Sequence, residues 1–500
     1  MFSALVITYR FIQAVMFIHN IHQISTLLQS LPGTFVGVGM TAFSRILPAS
    51  FLTSYHIVAL HKTGDLPLLR KKAHVFCLEE ETENPNLTPG QNSEGLLMHP
   101  RTRRFLDGIS RPKYFFLYQD YPELRSAAEA NGWILLANPP QLRQTVGKRK
   151  FFKKMAAALG LHQAPGGIYP IAVIHDKGYE AWRRSLGPAF VVQLPEIEQG
   201  GGRGTFFVRS REDYRQLQGR LAENRWRDTP LESISVHRFL DGIPASMVVC
   251  VTRHGTLVSA LQRQLLDLPY GRGFAEDGVF CGHAWGVSPG SEAVRKSAFE
   301  QACRIGDFLG TLGYKGILGI DFIVQEQRGA ACPIEINPRL TGALPMLSLR
   351  HLESGIVPLE AFHILEFLGL SYQIDRDALN RQYAEPVRGS HLLLFRSPIV
   401  EEKGIVPLRA GLYEYEPVNG GYRFLKETLE YPDIQSENQF ILSDGPRLTA
   451  DKTLHGQDSH SRLCRLLFSY PIMDMKGALS PQALLAAEWV GGKDMKGDAL

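Results

Sequence analysis

Gly316–Gly342, GILGIDFIVQEQRGAACPIEINPRLTG, decides the fold of this chain. Ile317–Val324 is apolar and β-branched apart from one acid, Asp321. Gln325–Gly329 is polar and ends in glycine, and Cys332–Ile336 is apolar again apart from Glu335. The pattern predicts two strands about a turn centred near Arg328. Pairing them sets Asp321 opposite Glu335, and the two-residue period of a strand puts Glu335 and Asn337 on one face. Three oxygen-bearing side chains then converge on one face of an apolar hairpin. Two carboxylates buried together are costly unless a cation or hydrogen bonds compensate. Mg²⁺ meets that demand, because it takes hard oxygen ligands, typically one or two carboxylates plus substrate phosphates. The plain alternative is a solvated sheet face.

Pro338-Arg339 follows at once, and Thr341-Gly342 closes the run. The combination D-F-I-V, then P-I-E-I-N-P-R-L-T-G, resembles the metal-binding signature of the ATP-grasp superfamily. The resemblance covers roughly Thr34 to Leu370, and the arrangement is similar to the biotin carboxylase and carbamoyl-phosphate synthase branch. It implies a multidomain α/β and α+β chain. A parallel α/β domain precedes an ATP-grasp module of two α+β lobes, and a small β-rich domain follows. It implies ATP and Mg²⁺ (or Mn²⁺) as cofactors, with Asp321, Glu335 and Asn337 as the metal ligands. It implies a ligase that activates a carboxylate as an acyl phosphate for attack by an amine or another nucleophile. Arg339 is then the catalytic cation, neutralising the transferred phosphoryl group or holding the carboxylate, either of which a planar guanidinium does bidentately.

Five hundred residues exceed one ordinary core, so two to four domains are expected. The boundaries read as 1–32, a leader helix; 33–145, the N-terminal α/β domain; 146–370, the ATP-grasp module; 371–490, a β-rich domain; and 491–500, a frayed tail. Hydrophobic residues make up 44% and charged residues 21%, the balance of an ordinary globular chain. A net charge of +4 over this length argues neither for a nucleic acid nor for a membrane surface, so no nucleic-acid partner is expected, and oligomerisation stays open. The six cysteines form no C-x-x-C pair, which suits reduced thiols in a cytoplasmic protein. Cys281-x-His283 has no second cluster to complete a metal site, so it reads as packing. The longest uncharged apolar run near the start, Phe11–Ile18, is too short to span a bilayer.

Thr34–Gly39, TFVGVG, reads as a buried strand entering a glycine turn. Gly37-x-Gly39 suggests a dinucleotide site and hence an NAD(P) oxidoreductase, but the third glycine of that fingerprint is absent. Further strands at His56–His61, His74–Leu78, Tyr114–Gln119 and Trp133–Ala137 alternate with helix-length segments and predict a parallel sheet. Beyond it, Phe151, Phe152, Met155, Ala156 and Leu159 make one helical face, with Lys148-Arg149-Lys150 at its start. Cations at a helix N-terminus oppose the macrodipole, so they do not serve the helix. They form either a solvated patch or a polyphosphate contact. By likeness to the family, Lys148 is the contact.

Phe190–Leu194 reads as a strand, followed by Gln199 and the glycine-rich run Gly200, Gly201, Gly202, Arg203, Gly204, then a strand from Thr205. Such a loop is either a hairpin tip or a cradle whose backbone N–H groups reach phosphates. The family resemblance selects the cradle. The strand before it often carries a lysine in the family, and Gln193 stands there instead, which leaves open a nucleotide-binding protein without turnover. Ile234–Leu240, ISVHRFL, resembles the family's adenine-binding hinge. His237 matches the ribose-binding acid, Arg238 and Leu240 supply backbone contacts, and Phe239 between them belongs to the same nucleotide site. Gln262-Arg263 falls on a strand that lines the substrate side in related enzymes, with Arg263 as the ligand contact. Ser291–Leu312 has the apolar stripe of a packed helix and no chemistry of its own.

Overall fold

Thr34–Gly39 is buried on both faces, as a central parallel strand must be. It forms β1, and Tyr55–Ala59 (β2), His74–Cys77 (β3), Lys113–Phe116 (β4) and Trp133–Leu136 (β5) complete a five-stranded sheet in the order β3-β2-β1-β4-β5. Every pairing in it is parallel. The strand order reverses between β1 and β4, and the crevice beyond the carboxyl ends at such a point is where open α/β sheets take ligands. The computed structural model describes residues 15–82, 87, 92–195, 204–226, 229–268, 278–286, 289–395, 408–445, 462–474 and 476–491.

The leader region differs in part from a single helix. Met16–Phe17 is a short strand paired with Tyr372–Gln373, and the helix spans only Ile21–Gln29. Asn20 sets that start by a capping box, its side chain accepting from the Gln23 N–H while Gln23 reaches back. Ile24, Leu27 and Leu28 then pack into the core of the first sheet.

A small antiparallel sheet follows, made of Gly166–Pro170 (β6), Phe190–Gln193 (β7), Thr205–Val208 (β8) and Ser233–Arg238 (β9), in the order β6-β9-β7-β8. Apart from the two-residue pairs Met16–Phe17 with Tyr372–Gln373 and Arg225–Trp226 with Thr229–Pro230, the remaining described strands form one eleven-stranded sheet. They are Ile243–Thr252 (β10), Gly255–Val258 (β11), Gln262–Leu266 (β12), Phe280–Trp285 (β13), Gly316–Gln325 (β14), Ala330–Asn337 (β15), Gly389–Phe395 (β16), Gly411–Glu416 (β17), Gly421–Lys426 (β18), Gln439–Ser443 (β19) and Arg462–Phe468 (β20). The order is β15-β14-β10-β12-β13-β16-β20-β19-β17-β18, with β11 on β10. The C-terminal strands thus continue the sheet that carries the acidic hairpin, joined by antiparallel pairing of β13 with β16.

The helix Glu292–Thr311 buries Val294, Ala298, Ala302, Ile305 and Leu309 in the same core as Leu318, Ile320 and Phe322 of β14. Ser291 makes no side-chain cap there, and its N–H donates instead to Glu326 Oε2 at 2.9 Å. Two contacts fix the first sheet to the large one near the site. Asn138 and Lys315 exchange hydrogen bonds of 2.7 and 3.0 Å, and the Leu340 N–H donates to the Tyr118 carbonyl at 3.2 Å. Among the described residues no helix is long and apolar enough to cross a membrane.

Candidate active site

The hairpin pairs in the expected register. Asp321 lies opposite Glu335 and Gly319 opposite Asn337, with an irregularity between Asp321 and Phe322 that skips Ile334. Gly329, in the left-handed region at φ 59°, closes the turn without the Cβ penalty of other residues. Asn337 Nδ2 donates to Asp321 Oδ2 at 2.8 Å, and Gln264 Nε2 of β12 donates to Oδ1 at 2.8 Å. Burial raises the Asp321 carboxyl above its ordinary range, and the Glu335 charge raises it further against the opposing pull of Arg339 and the two amides. Arg149 Nη2 reaches Glu335 Oε2 at 3.2 Å. Two adjacent carboxylates and an amide oxygen, one acid already strained by the other's charge, are a donor set suited to Mg²⁺.

These groups line one cavity of about 1150 Å³. It is walled by the hairpin, the small sheet, the start of helix Arg149–Ala158 and the carboxyl ends of β1 and β4. Strand alternation decides which side chains reach it. Val191 and Gln193 of β7, Thr205 and Phe207 of β8, and Ser235 and His237 of β9 face the cavity, while Phe190, Val192, Phe206 and Val208 form the lobe's own core. Gln193 Nε2 donates to Thr205 Oγ1 at 3.3 Å. Gly204, at φ 75°, opens β8 against the cavity, whereas Gly200, Gly201, Gly202 and Arg203 lie outside the described residues. His237 Nε2 meets Ser235 Oγ at 2.8 Å. Burial, aided by the Lys153 and Arg149 charges, pushes its imidazole down to about 4, so it stands neutral where the family places an acid.

The hinge differs in detail from the backbone contacts expected. Arg238 is still a strand residue, so its N–H is taken by the Pro165 carbonyl at 2.8 Å, and the Phe239 N–H by Ala189 at 3.1 Å. Leu240 lies beyond the strand end, and among the described residues its N–H donates to no protein group. The hinge N–H open to a ligand is therefore that of Leu240. Phe239 packs edge-on against Phe207 at 5.6 Å, and the Arg209 guanidinium covers both rings.

Arg263 is a correction. Gln262 and Gln264 face the cavity, so Arg263, one residue out of phase, points to the opposite side of β12. There it is buried and donates to the Asp474 carbonyl, beside Gly477. Lys148 lines the cavity as expected; Arg149, named in the same cluster but not chosen, lines it too, and so does Lys153, which the sequence reading missed. Helical phase was the available signal, since Arg149 and Lys153 lie four apart on one face. Lys153 Nζ donates to the Gly166 carbonyl at 2.7 Å. Arg339 lines the cavity with its guanidinium 5.2 Å from the Tyr118 ring centroid.

Gly37-x-Gly39 is accounted for by packing. A Cβ on Gly37 would stand 2.0 Å from the Tyr55 hydroxyl, which donates to the Arg45 carbonyl. Among the described residues, the β1 turn leads into a short 3₁₀ segment, Phe43–Arg45, and not into the long helix that would present its N-terminus to a pyrophosphate.

Residues 198–343 match the ATP-grasp domain. The chain is 32% identical over 105 residues to an L-propargylglycine–L-glutamate ligase of Streptantibioticus cattleyicolor, a match that spans 18% of this chain and 22% of that protein's length. In fold it is similar to the biotin carboxylase domain of Hydrogenobacter thermophilus 2-oxoglutarate carboxylase in complex with MgADP, ADP and bicarbonate, at 14% identity, TM-score 0.54, and coverage of 88% of this chain and 87% of that one. It is similar also to Rhizobium etli pyruvate carboxylase, at 16% identity, TM-score 0.55, and coverage of 88% and 36%. An ADP complex of an N5-carboxyaminoimidazole ribonucleotide synthetase superposes at 14% identity, TM-score 0.51, and coverage of 92% and 97%.

Proposed function

We propose, from the premise that this chain carries an ATP-grasp domain, that it is an ATP- and Mg²⁺-dependent ligase joining a carboxylate to an amine or another nucleophile. The observation that carries this reading is the meeting of four parts in one cavity. They are the paired acids Asp321 and Glu335, the cation Arg339, the Gln193–Thr205 pair of β7 and β8, and the hinge ending at Leu240.

In this reading the adenine edge lies against the hinge, where the Leu240 N–H is the open donor. The polyphosphate runs along Gln193, Thr205 and Gly204 toward the hairpin, with Lys148, Arg149 and Lys153 opposite. Asp321, Glu335 and Asn337 would hold the metal, which when bound offsets charge on the phosphates. Arg149, paired with Glu335 at 3.2 Å, stands on the cavity wall where it would also reach the phosphates. Arg339 holds the substrate carboxylate in line with the γ-phosphorus. A carboxylate oxygen attacks that phosphorus and ADP leaves, giving an acyl phosphate. The amine nitrogen then attacks the acyl carbon, phosphate departs, and the nitrogen loses a proton as the new bond is completed. These residues contribute positioning and charge neutralisation, as phosphoryl transfer requires. ATP, a small carboxylate and an amine are the expected partners.

A second reading is nucleotide binding without turnover, which one observation favours: the strand before the loop presents the uncharged Gln193. Phosphate release from ATP and Mg²⁺ across a panel of carboxylates and amines separates the two. Release that needs a carboxylate supports the ligase, and tight ATP binding with none supports the second reading.

A further inference from the structure

A belt of polar side chains crosses the large sheet on its cavity side. Ser246 of β10 is the register partner of both Asp321 on β14 and Gln262 on β12, so its side chain shares a face with the metal-ligand candidates. From Ser246 the belt runs on through buried groups. Ser246 Oγ lies 3.2 Å from His283 Nε2, His283 Nδ1 lies 3.0 Å from His391 Nε2, and His391 Nδ1 lies 3.0 Å from Arg465 Nη1. Asp444 holds Arg465 from behind through Nε at 3.5 Å.

The direction of this chain is fixed at its far end. A guanidinium has donors only, so Arg465 donates to His391 Nδ1. Burial and the Arg465 charge push the His391 imidazole well below its ordinary range and His283 down to about 3, so each carries one ring proton. The His391 proton is therefore on Nε2 and is donated to His283 Nδ1. The His283 proton is likewise on Nε2 and is donated to Ser246 Oγ. Gln262 Nε2 donates to the same oxygen at 3.1 Å, its amide oriented by Trp285 Nε1, which donates to Gln262 Oε1 at 2.6 Å. Both acceptor positions of the Ser246 hydroxyl are filled, and among the described residues it donates to no group. Ser246 lines the cavity, so the one hydrogen left is offered there.

We propose that Ser246 is a substrate-positioning residue, a hydroxyl held as a donor toward an acceptor oxygen of the carboxylate substrate beside the Asp321–Glu335 pair, with its direction set by the His283–His391–Arg465 relay. The inference rests on the ligase reading above and names a group that reads the substrate rather than the nucleotide. The relay costs the molecule a file of buried polar groups, and such a file is tolerated only when every member is satisfied. In the free protein the Ser246 hydroxyl hydrogen is left over at the cavity end of the file.

Two measurements test it. In protein carrying isotope-labelled histidine, nitrogen NMR reads the tautomers, and His283 and His391 are both expected as Nε2–H; an Nδ1–H tautomer at either overturns the relay. In kinetics, Ser246→Ala should raise KM for the carboxylate about tenfold, the scale of one lost hydrogen bond, with MgADP affinity unchanged. Ser246→Thr, which keeps the hydroxyl, should recover most of the loss. An equal loss in carboxylate KM and MgADP affinity, or no recovery by threonine in a folded variant, makes Ser246 structural only and refutes the proposal. Should no carboxylate stimulate phosphate release by the wild type, the ligase reading fails and the positioning role with it, while the tautomers still decide the relay.

Discussion

Asp321→Asn should make the metal-free protein more stable while abolishing ATP turnover. Asp321 is pressed among protein atoms at the cavity wall beside the Glu335 carboxylate, and both effects raise its pKa. Between the ordinary carboxylate value and the raised one, the folded state binds more protons than the unfolded state. Wild-type stability therefore falls as pH rises through that window. A tenfold loss of acidity on folding is worth about 1.4 kcal/mol, and a carboxyl buried beside a second carboxylate loses roughly a hundredfold or more, so the cost at pH 8 is about 2–4 kcal/mol. Asparagine removes the charge and keeps the volume, and its amide still meets the Asn337 and Gln264 amides once one of them flips. Urea unfolding at pH 8 without divalent cations should show the variant more stable by about 2–4 kcal/mol. The gap should close as pH falls toward 4. Millimolar Mg²⁺ with ADP should stabilise the wild type and leave the variant unmoved. A variant equal to or less stable than wild type at pH 8 refutes the claim that these acids are strained for function.

Glu335→Gln should likewise fold and lose ATP turnover, and a folded variant with wild-type phosphate release contradicts the metal role. Gln193→Lys places a charge beside Thr205 at the phosphate wall; by calorimetry it should tighten ATP about tenfold and AMP much less, and equal changes mean that position 193 does not face the phosphates. His363 is buried, accepts from the Ile317 N–H at 3.1 Å and faces the Leu136 carbonyl at 2.9 Å, and burial pushes it down to about 4. Unfolded histidine charges near 6.5, so its contribution is complete above that pH and is lost as pH falls toward 4, by about 3 kcal/mol. The fall in urea midpoint between pH 7 and 4.5 should be shallower in His363→Gln, and an unchanged slope excludes this group as a source.

The hairpin was legible because two apolar runs, each broken by one acid, flank one polar turn: once Gly329 closes it, register follows, and with it the Asp321–Glu335 pairing. Gln193 and His237 were legible for the same reason, each lying on a short strand whose alternate residues are plainly apolar. Arg263 was misplaced because Gln262-Arg263-Gln264 has no apolar residue to set its phase; the phase comes from pairing Gln262 with Ser246 on β10. The Arg238 N–H is taken by the Pro165 carbonyl because β9 runs through Arg238, an end that no local pattern marks. Ser246, His283, His391 and Arg465 are far apart in sequence and unremarkable singly. Pairing of β10 with β12 and of β12 with β13, and the long-range pairing of β13 with β16 and of β16 with β20, bring them into one row, and no local pattern encodes that.

By the ligase reading, transfer of the γ-phosphoryl group of ATP to a carboxylate takes place in the cavity between the hairpin and the small sheet. Its most direct measurement is phosphate release by the full chain with ATP and Mg²⁺, scanned over small carboxylates including L-amino acids, with and without an amine acceptor. Release that requires a particular carboxylate, and that Glu335→Gln removes, is the predicted result. Failure to bind ATP while NAD(P) binds, or tight ATP binding with no release across the panel, contradicts the claim.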